Sequence, residues 1–326
     1  MKVIKFFAIT AMAAAMITSC SNEDELSQSN YPSDNIIRVT AGVNNAKTRA
    51  EGAGTEMKND FSLTIVNKNA PKYTYTDKVF SKTSGDWACS ETLLWQKSDA
   101  LVDIVAFAPA QQGKFNGVYA NGSIQPIAYS VADDQSTSSA NNDLLYYYAP
   151  GYNPGKSLVD KKLNIQFNHA FCMIDINVTL GTEFNKPEVL KESPIVKVTL
   201  GGTKIAANVN VTNAASVVTI SETDAATDIT TTKGSFDKAA DPEANAKSHF
   251  SCIAIPQTVG ANTFKVSLMT AGKRYEWTSA APVELQSGYR YTLNLSMGND
   301  VVLLKGGSIT ATPWTEITSD KPLETD

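Results

Sequence analysis

Histidine is scarce in this sequence, and its scarcity limits the chemistry that the chain can carry out. Only two histidines occur among 326 residues, His169 in HAFCMIDINV and His249 in HFSCIAIP. Neither lies in an HExxH pattern or beside carboxylates at metal-ligand spacing. We therefore predict that both histidines cap or pack strands and that the chain holds no metal.

The familiar catalytic motifs are absent as well. The sequence contains no GxSxG nucleophile elbow, no P-loop, no GxGxxG dinucleotide fingerprint and no EF-hand loop. These absences predict a protein without a cofactor and without enzymatic activity. Two acids far apart in sequence can still meet in a fold, so a glycosidase carboxylate pair stays open as an alternative without positive support.

Cysteine is the next scarce residue. The four cysteines are Cys20, Cys89, Cys172 and Cys252, and Cys20 lies at the end of the N-terminal leader. The remaining three are an odd number, which excludes a complete intrachain disulfide set, and no CxxC pair is present to bind zinc. Cys172 and Cys252 lie in apolar strand-like stretches, where a free cysteine behaves as a small hydrophobic residue. We predict structural roles for all three.

Basic residues do not outnumber acidic ones: 28 Lys and Arg stand against 33 Asp and Glu, and the net charge is −5. A chain with this balance lacks the positive footprint of a nucleic-acid-binding protein, so we predict no nucleic-acid partner. After the first twenty residues no apolar run of about twenty residues occurs, which predicts no membrane-spanning helix in the mature chain. Hydrophobic residues make up 42% of the sequence, enough for a folded body.

The N-terminus has the features of a lipoprotein signal. Residues 1–19 combine a basic start with a short apolar run, and Cys20 follows small residues, as in a bacterial lipobox. The thiol of Cys20 would carry the lipid, and Cys20 would become the new N-terminus. Residues 20–35 form a polar tether with three consecutive acids at 23–25, which resembles the surface-export signal of Bacteroidetes lipoproteins. The alternative is an ordinary signal peptide in which the cysteine occurs by chance.

The body of the chain alternates apolar and polar residues with a period of two, the pattern of half-buried strands. In the first such stretch, 36–43, one face carries Ile37, Val39, Ala41 and Val43. Many short stretches of the same kind follow, separated by turn-forming residues, and no long amphipathic helical pattern occurs. We predict an all-β protein built from β-sandwiches.

A loop-rich stretch at 132–162 indicates where the chain divides. Strand patterns restart after it, and we predict an N-terminal β-sandwich over 36–160 and a C-terminal one over 161–326, each of ordinary domain size. The polar run at about 223–248 is predicted to be a long loop or excursion within the second domain.

An arginine lies in the flexible loop that follows the first strand. This loop, 44–56, reads NNAKTRAEGAGTE and carries Arg49 followed by Ala50, with Lys47 two residues before the arginine. A small, polar, Gly-containing loop can enter a protease in extended form, so the bond after Arg49 is a candidate cleavage site, with Lys47 as the alternative. The competing interpretation is a solvated surface loop with an incidental charge.

Three consecutive tyrosines, Tyr146, Tyr147 and Tyr148, lie in a segment rich in glycine and proline. Exposed aromatic side chains in a loop can stack on sugar rings or anchor a protein partner. The tyrosines are therefore candidate contacts for a host glycan or protein. Alternate tyrosines of a strand usually pack against the sheet, which is the competing interpretation.

Several patterns, taken in order along the chain, resemble those of a known family. FNHAFCMIDINV at Phe167–Val178 contains F-x-HA followed by alternating apolar residues. Near the C-terminus, G-x-x-Y-x-L-x-L occurs at Gly288–Leu295, and I-x-x-x-x-W follows at Ile309–Trp314. Together with the lipobox, the acidic tether and the arginine-bearing loop, these patterns resemble the fimbrillins of type V pili of Bacteroidales.

The resemblance implies two tandem transthyretin-like β-sandwich domains and an assembly role. Fimbrillins are exported as lipoproteins, so the chain would be held in the outer membrane through lipidated Cys20. An arginine- or lysine-specific protease then cuts the loop after the first strand, and the matching bond here is Arg49–Ala50. Loss of the first strand would leave an apolar groove that a strand of another pilus subunit fills.

The replacement strand is expected from the C-terminal segment of another subunit, with the apolar side chains Val301, Leu303, Ile309 and Trp314. The resemblance therefore implies a stalk or tip subunit of an extracellular fimbria that polymerises by donor-strand exchange. An anchor subunit would keep its lipidated N-terminus. The alternative from another class is a cell-surface lipoprotein that acts as an adhesin or as a glycan- or protein-binding module and does not polymerise.

Overall fold

A computed structural model of the chain describes residues 30–44, 55–57, 59–111, 113–137, 142–186, 188–221, 223–299, 301–304 and 309–314. Strands dominate these residues, and the predicted all-β fold is confirmed. The described helical structure includes one α-helical turn, α1 (Pro154–Ser157), and 3-10 turns at Pro71–Tyr73, Asn116–Val118 and Thr182–Asn185. This agrees with a sequence in which apolar residues recur at every second position.

An eight-stranded sheet forms the first part of the fold. In order across the sheet, its strands are β2 (Thr55–Glu56), β1 (Val39–Val43), β11 (Leu163–His169), β10 (Leu145–Tyr152), β6 (Val102–Ala108), β3 (Phe61–Val66), β4 (Tyr75–Thr83) and β5 (Asp86–Cys89). β1 and β11 run parallel, and every other neighbouring pair in this sheet is antiparallel.

A six-stranded sheet forms the centre of the second part. Its strands are β17 (Thr232–Asp237), β18 (Lys247–Ala254), β12 (Cys172–Leu180) and β23 (Tyr289–Met297), followed by β24 (Val302–Leu304) and β25 (Thr310–Pro313). β24 and β25 both pair with β23, at opposite ends of that strand. β12 and β23 run parallel over eight residue pairs, the longest parallel ladder among the described strands.

Smaller sheets complete the second part. A four-stranded sheet has the order β16 (Ile229–Thr230), β13 (Ile195–Gly201), β20 (Lys265–Thr270) and β21 (Arg274–Thr278). A three-stranded sheet has the order β15 (Val218–Ile220), β14 (Ala206–Val209) and β9 (Ile127–Ser130). Two ribbons join β7 (Tyr119–Ala120) to β8 (Ser123–Ile124) and β19 (Gln257–Val259) to β22 (Val283–Leu285).

Two buried apolar cores cover the two faces of the eight-stranded sheet. β6 shows the division most clearly, because Ile104 and Ala106 lie in the first core and Val105 and Phe107 lie in the second. All four are at most 1% exposed. A strand that is buried on both faces has an almost continuous apolar sequence, as VDIVAFA does. The second core continues into the smaller sheets and reaches Trp314.

Strands from the two sides of the predicted division at 160/161 pair with each other within the chain. β11 follows the division but joins the eight-stranded sheet, next to β1 and β10. β9 precedes the division but pairs with β14. A cut at 160/161 would therefore separate paired strands in two sheets. Alternation identifies a strand but not its partner, which is why the sequence does not reveal this pairing. The division into two sandwich domains stays a prediction.

The predicted long loop at about 223–248 is wrong in part. β16 and β17 lie within this stretch, and they pair with β13 and β18. β17 is an edge strand whose residues are exposed or half-buried. An edge strand of this kind needs no apolar alternation, so its sequence, TKGSFD, looks like a loop.

Candidate functional site

The first strand, predicted over 36–43, forms over Val39–Val43 as β1, and Ile36 before it makes only an isolated bridge with Leu94. β1 lies next to the outermost strand of its sheet. β1 pairs with β11 in parallel register, from Val39 opposite Leu163 to Val43 opposite Phe167. On its other edge, the pairing among described residues is limited to Gly42 and Val43, which pair with the two-residue β2. One full ladder and one short ladder therefore hold the backbone of β1.

The apolar face of this segment contributes to the first core. Ile37, Val39 and Val43 are each 4–5% exposed, and half-buried Ala41 packs against the same core. Full burial of a Val or Ile side chain contributes about 1.5–3 kcal/mol relative to leaving it in water. Side-chain burial is therefore a main source of the free energy that holds β1 in place.

The contact between β1 and β11 continues one residue beyond the strand. The backbone N–H of Asn44 donates to the carbonyl oxygen of Phe167 at 2.7 Å. The side-chain Nδ2 of Asn44 donates to Asn168 Oδ1 at 2.8 Å. The predicted cleavage loop begins here, so its first residue is fastened to β11. Four predicted site residues lie outside the described residues: Cys20, Lys47, Arg49 and Ala50.

The C-terminal segment pairs within its own chain. β24 pairs antiparallel with residues Leu295–Met297 of β23, and β25 pairs with Tyr289–Thr292 of the same strand. Within the described ranges, β24 has no strand on its other side and so forms an edge of the six-stranded sheet. The unpaired backbone groups of an edge strand are a template for pairing with another chain.

The predicted donor side chains divide between solvent and core. Val301 and Leu303 are 50% and 59% exposed, Ile309 is half-buried and Trp314 is 6% exposed. Val302 is only 6% exposed, because successive side chains of a strand point to opposite faces. Val301 and Leu303 are thus available for contacts beyond this chain, whereas Trp314 is buried.

Trp314 fixes the end of the C-terminal segment against β11. Its indole stacks on the imidazole of His169, with ring centroids 3.8 Å apart and an interplanar angle of 11°. His169 Nδ1 lies 2.8 Å from Asp143 Oδ2, and these two side chains are 3% and 12% exposed. The backbone N–H of Trp314 donates to the carbonyl oxygen of Gly288 at 2.7 Å. The F-x-HA pattern and the C-terminal tryptophan pattern therefore meet in space.

The three consecutive tyrosines alternate between the two cores. Tyr147 packs against the first core, and Tyr146 and Tyr148 pack against the second. All three are half-buried, and burial raises the pKa of each phenol above its ordinary value. They lie on β10, which has a sheet partner in β6 and a core on each face, so their rings serve packing.

His249 is part of a row of polar side chains across the six-stranded sheet. Its Nδ1 lies 2.8 Å from Asn177 Oδ1, and its Nε2 lies 2.8 Å from Asp237 Oδ2. Asn177 Nδ2 donates to Asn294 Oδ1 at 3.0 Å. The row joins four neighbouring strands through their side chains, and it gives His249 a role in cross-strand contacts.

Metal ligands do not cluster in the part of the chain that the structure describes, where no group of three or more His, Cys, Asp or Glu side chains could hold an ion. The same residues include no helix that is long and apolar enough to cross a membrane. Cys172 and Cys252 are buried free thiols, and Cys89 is a half-buried one.

Sequence reasoning missed three residues that the structure brings to this region: Asn44, Asn168 and Asp143. Each is a short polar residue of a type that is common in turns, so none stands out in the sequence. Asn44 and Asn168 are 124 positions apart, and Asp143 and His169 are 26 positions apart. Only the parallel pairing of β1 with β11, and the antiparallel pairing of β10 with β11, make these contacts possible.

Solved structures with a similar fold come from Bacteroides species. A candidate cell adhesion protein from Bacteroides ovatus has a TM-score of 0.60 at 17% identity, over 87% of this chain and 99% of that chain. A candidate cell adhesion protein from Bacteroides uniformis has a TM-score of 0.55 at 15% identity, over 87% and 100%. A fimbrial protein from Bacteroides vulgatus has a TM-score of 0.51 at 15% identity, over 86% and 98%. At these identities the likeness shows the fold alone.

No curated protein matches the sequence. A family model described as fimbrillin-like matches residues 48–314, which is most of the chain and includes both patterns that meet at His169 and Trp314. The resemblance found in the sequence is thereby confirmed, and the chain belongs to the fimbrillin-like family.

Proposed function

We propose that this protein is a structural subunit, stalk or tip, of a type V fimbria on the cell surface. Its membership of the fimbrillin-like family supports a role in a pilus or in cell adhesion. In the proposal, the chain polymerises by strand exchange after its first strand is removed. The observation that carries it is that β1, held by one full ladder and buried apolar side chains, directly precedes the loop with Arg49.

Loss of β1 would uncover an apolar slot along β11. Leu163, Ile165 and Phe167 lie opposite residues of β1 and are fully buried. Without β1, the backbone groups on this edge of β11 lose their strand partner, and buried unpaired N–H and C=O groups are costly. A strand from another subunit would restore both the ladder and the apolar contacts.

The incoming strand is expected to come from the C-terminal segment of a second subunit. In its own chain this segment is an edge of the sheet, with Val301 and Leu303 at least half exposed. Such side chains gain about 25 cal/mol for each Å² of apolar surface that they bury in a slot. The segment is therefore more favourably placed between two subunits than at the edge of one.

Export precedes assembly in this proposal. The lipid on Cys20 holds the precursor in the outer membrane, and an arginine- or lysine-specific protease then cuts after Arg49. The shortened chain leaves the membrane anchor and enters an extracellular fimbria together with other pilus subunits. The role is structural and not catalytic, and it needs no cofactor.

The test is N-terminal peptide mapping by mass spectrometry on protein sheared from intact cells that express the full chain. We expect the chain to start at Ala50. Arg49→Ala should leave the uncut chain, and Lys47→Ala is the matched control that should be cut normally. An acylated start at Cys20 in the unsubstituted protein would contradict a polymerising subunit and would favour an anchor or an unpolymerised surface binding module.

Polymerisation has a separate readout. The cut protein should form a ladder of oligomers that resists detergent on an unboiled gel, and Leu303→Asp should abolish the ladder by adding a charge to the donated strand. Val196→Asp is the control, because Val196 is 61% exposed on β13, outside the C-terminal segment. A ladder that persists in Leu303→Asp would contradict donation by this segment.

A further inference from the structure

β11 contacts segments from both ends of the described chain. Residues Leu163–Phe167 pair with β1, and no other described strand pairs with them. β10 joins β11 only at its end, where Asn168 and His169 lie opposite Tyr146 and Leu145. β1 is therefore the strand that keeps most of β11 in the sheet.

The last residue of β11 holds the C-terminal segment. His169 stacks on Trp314, and Asn168, the residue before it, accepts the side-chain hydrogen bond of Asn44. The residues that fasten the end of β1 and the end of the C-terminal segment are thus consecutive in the chain. Backbone contacts reinforce this junction, because Gly288 N–H donates to Phe171 O at 2.9 Å and Gly288 O accepts from Trp314 N–H.

Trp314 is the buried anchor of β25. Thr310–Pro313, the whole of β25, are exposed, whereas Trp314 is 6% exposed. The four residue pairs with β23 are the only strand pairing of β25 among the described residues. A short exposed ladder of this kind opens at low free-energy cost unless a buried side chain holds it.

We infer that β11 couples β1 to the C-terminal segment, so that loss of β1 loosens the stack of His169 on Trp314 and releases β25. An uncut subunit then keeps its C-terminal segment on its own β23. Removal of β1 both opens the slot and frees β25 and Trp314, the last described part of the C-terminal segment. The use of the freed segment rests on the proposed function, whereas the coupling is a property of a single chain.

The physical reason lies in the loss of the strand partner of β11. Without β1, Leu163–Phe167 have no described ladder, and the backbone just before His169 gains freedom. The rings of His169 and Trp314 are in close contact, and a gap of 0.5–1 Å already removes about a quarter to a half of the dispersion attraction. Movement of His169 therefore weakens the contact that buries Trp314.

The test is backbone hydrogen exchange, followed by mass spectrometry, in the full uncut chain. Peptides that cover β1 and β25 are compared between variants. Val39→Ala weakens β1 and should speed exchange in β25 by about fivefold or more, the lower end of typical coupling between two sites. Trp314→Ala removes the side chain that holds β25. Because coupling is reciprocal, this variant should speed exchange in β1 by a similar factor.

Two control variants separate coupling from general destabilisation. Val196→Ala makes the same truncation at a valine that is 61% exposed on β13, and it should leave exchange in β25 unchanged. Trp277→Ala truncates a tryptophan that packs against the second core from β21, and it should leave exchange in β1 unchanged. If Val39→Ala does not fold, Asn44→Ala replaces it with the same expected direction, since it removes the side-chain bond to Asn168 and spares the core.

The coupling would be overturned if each variant speeds exchange only near its own substitution. It would also be overturned if only one of the two variants speeds exchange in the distant strand. Either result would leave the proposed function standing, because N-terminal mapping and the oligomer ladder test it without reference to exchange rates. Conversely, a chain that is never cut could still show the coupling. The two failures are therefore distinguishable.

Discussion

Gln135 forms a pair of hydrogen bonds with the backbone of Ile253, which lies 118 residues further along the chain. Its Nε2 donates to the carbonyl oxygen of Ile253 at 2.9 Å, and its Oε1 accepts from the N–H of Ile253 at 2.8 Å. The side chain is fully buried. Gln135 belongs to the loop-rich stretch that separates the two predicted domains, and it fastens that stretch to β18.

Gln135→Glu should destabilise the protein by about 3 kcal/mol. The substitution keeps the shape of the side chain but replaces the donor with a carboxylate oxygen, which would face the carbonyl oxygen of Ile253 in a buried place. Gln286→Glu, at an exposed position, is the matched control and should cost less than about 1 kcal/mol. Urea unfolding measures the loss of unfolding free energy in each variant. Equal losses in Gln135→Glu and Gln286→Glu would contradict the role of Gln135.

Val39→Asp should weaken the first core strongly, and Thr40→Asp should not. Val39 is 4% exposed, so its replacement would bury an unpaired charge at a cost of more than about 3 kcal/mol. Thr40 is its exposed neighbour on the same strand, where a charge stays in water; the loss of the hydrogen bond from Thr40 Oγ1 to Asn164 Oδ1 should cost about 1 kcal/mol. Thermal unfolding of the two variants checks the prediction. A similar midpoint for both would show that β1 contributes little to the core.

The cysteines should differ in their reactivity toward iodoacetamide at pH 8. Burial raises the pKa of the Cys172 and Cys252 thiols well above the ordinary value, so little of the reactive thiolate is present and the reagent has no access. Cys89 is half-buried and should react first among the three. Peptide mass spectrometry, with a urea-unfolded sample as the control, measures the order. Early labelling of Cys172 or Cys252 in the native protein would contradict the core packing.

Stability should fall in acid partly because of Asp103. Burial raises the pKa of this carboxyl, but Lys68 Nζ, 2.8 Å away, and the N–H of Gly151, also at 2.8 Å, outweigh burial and leave the pKa below its ordinary value. A depressed pKa in the folded state adds stability above the pKa of the unfolded state, about 3.9. That stability is lost as the pH falls through the folded-state pKa.

Asp103→Asn should therefore lose less free energy of unfolding between pH 5 and pH 2 than the unsubstituted protein. Lys68→Ala removes the cation and should flatten the same part of the profile. Urea unfolding at a series of pH values measures the slope. Parallel profiles for all three proteins would mean that Asp103 does not contribute to acid sensitivity.

Local sequence patterns predict the strands of this fold better than their partners. Val39 and Val43 of β1, and Ile37 just before it, are buried on one face, as their spacing indicates. The polar edge strand β17 carries no strand pattern in its sequence, because it has no buried face to impose one. The pairings that β9 and β11 make across the predicted division were not predicted, because hydrogen-bonded ladders look alike in sequence whichever strand they join.

By itself, the sequence determined the class of the fold and the family, through its period of two and through short motifs such as F-x-HA. Those signals are local, since side-chain direction alternates along any strand. Only the tertiary structure decided that β1 pairs with β11, and that His169 of one motif stacks on Trp314 of another. Contacts between residues so far apart depend on chain topology and on the burial of both partners in one core, and no window of sequence contains that information.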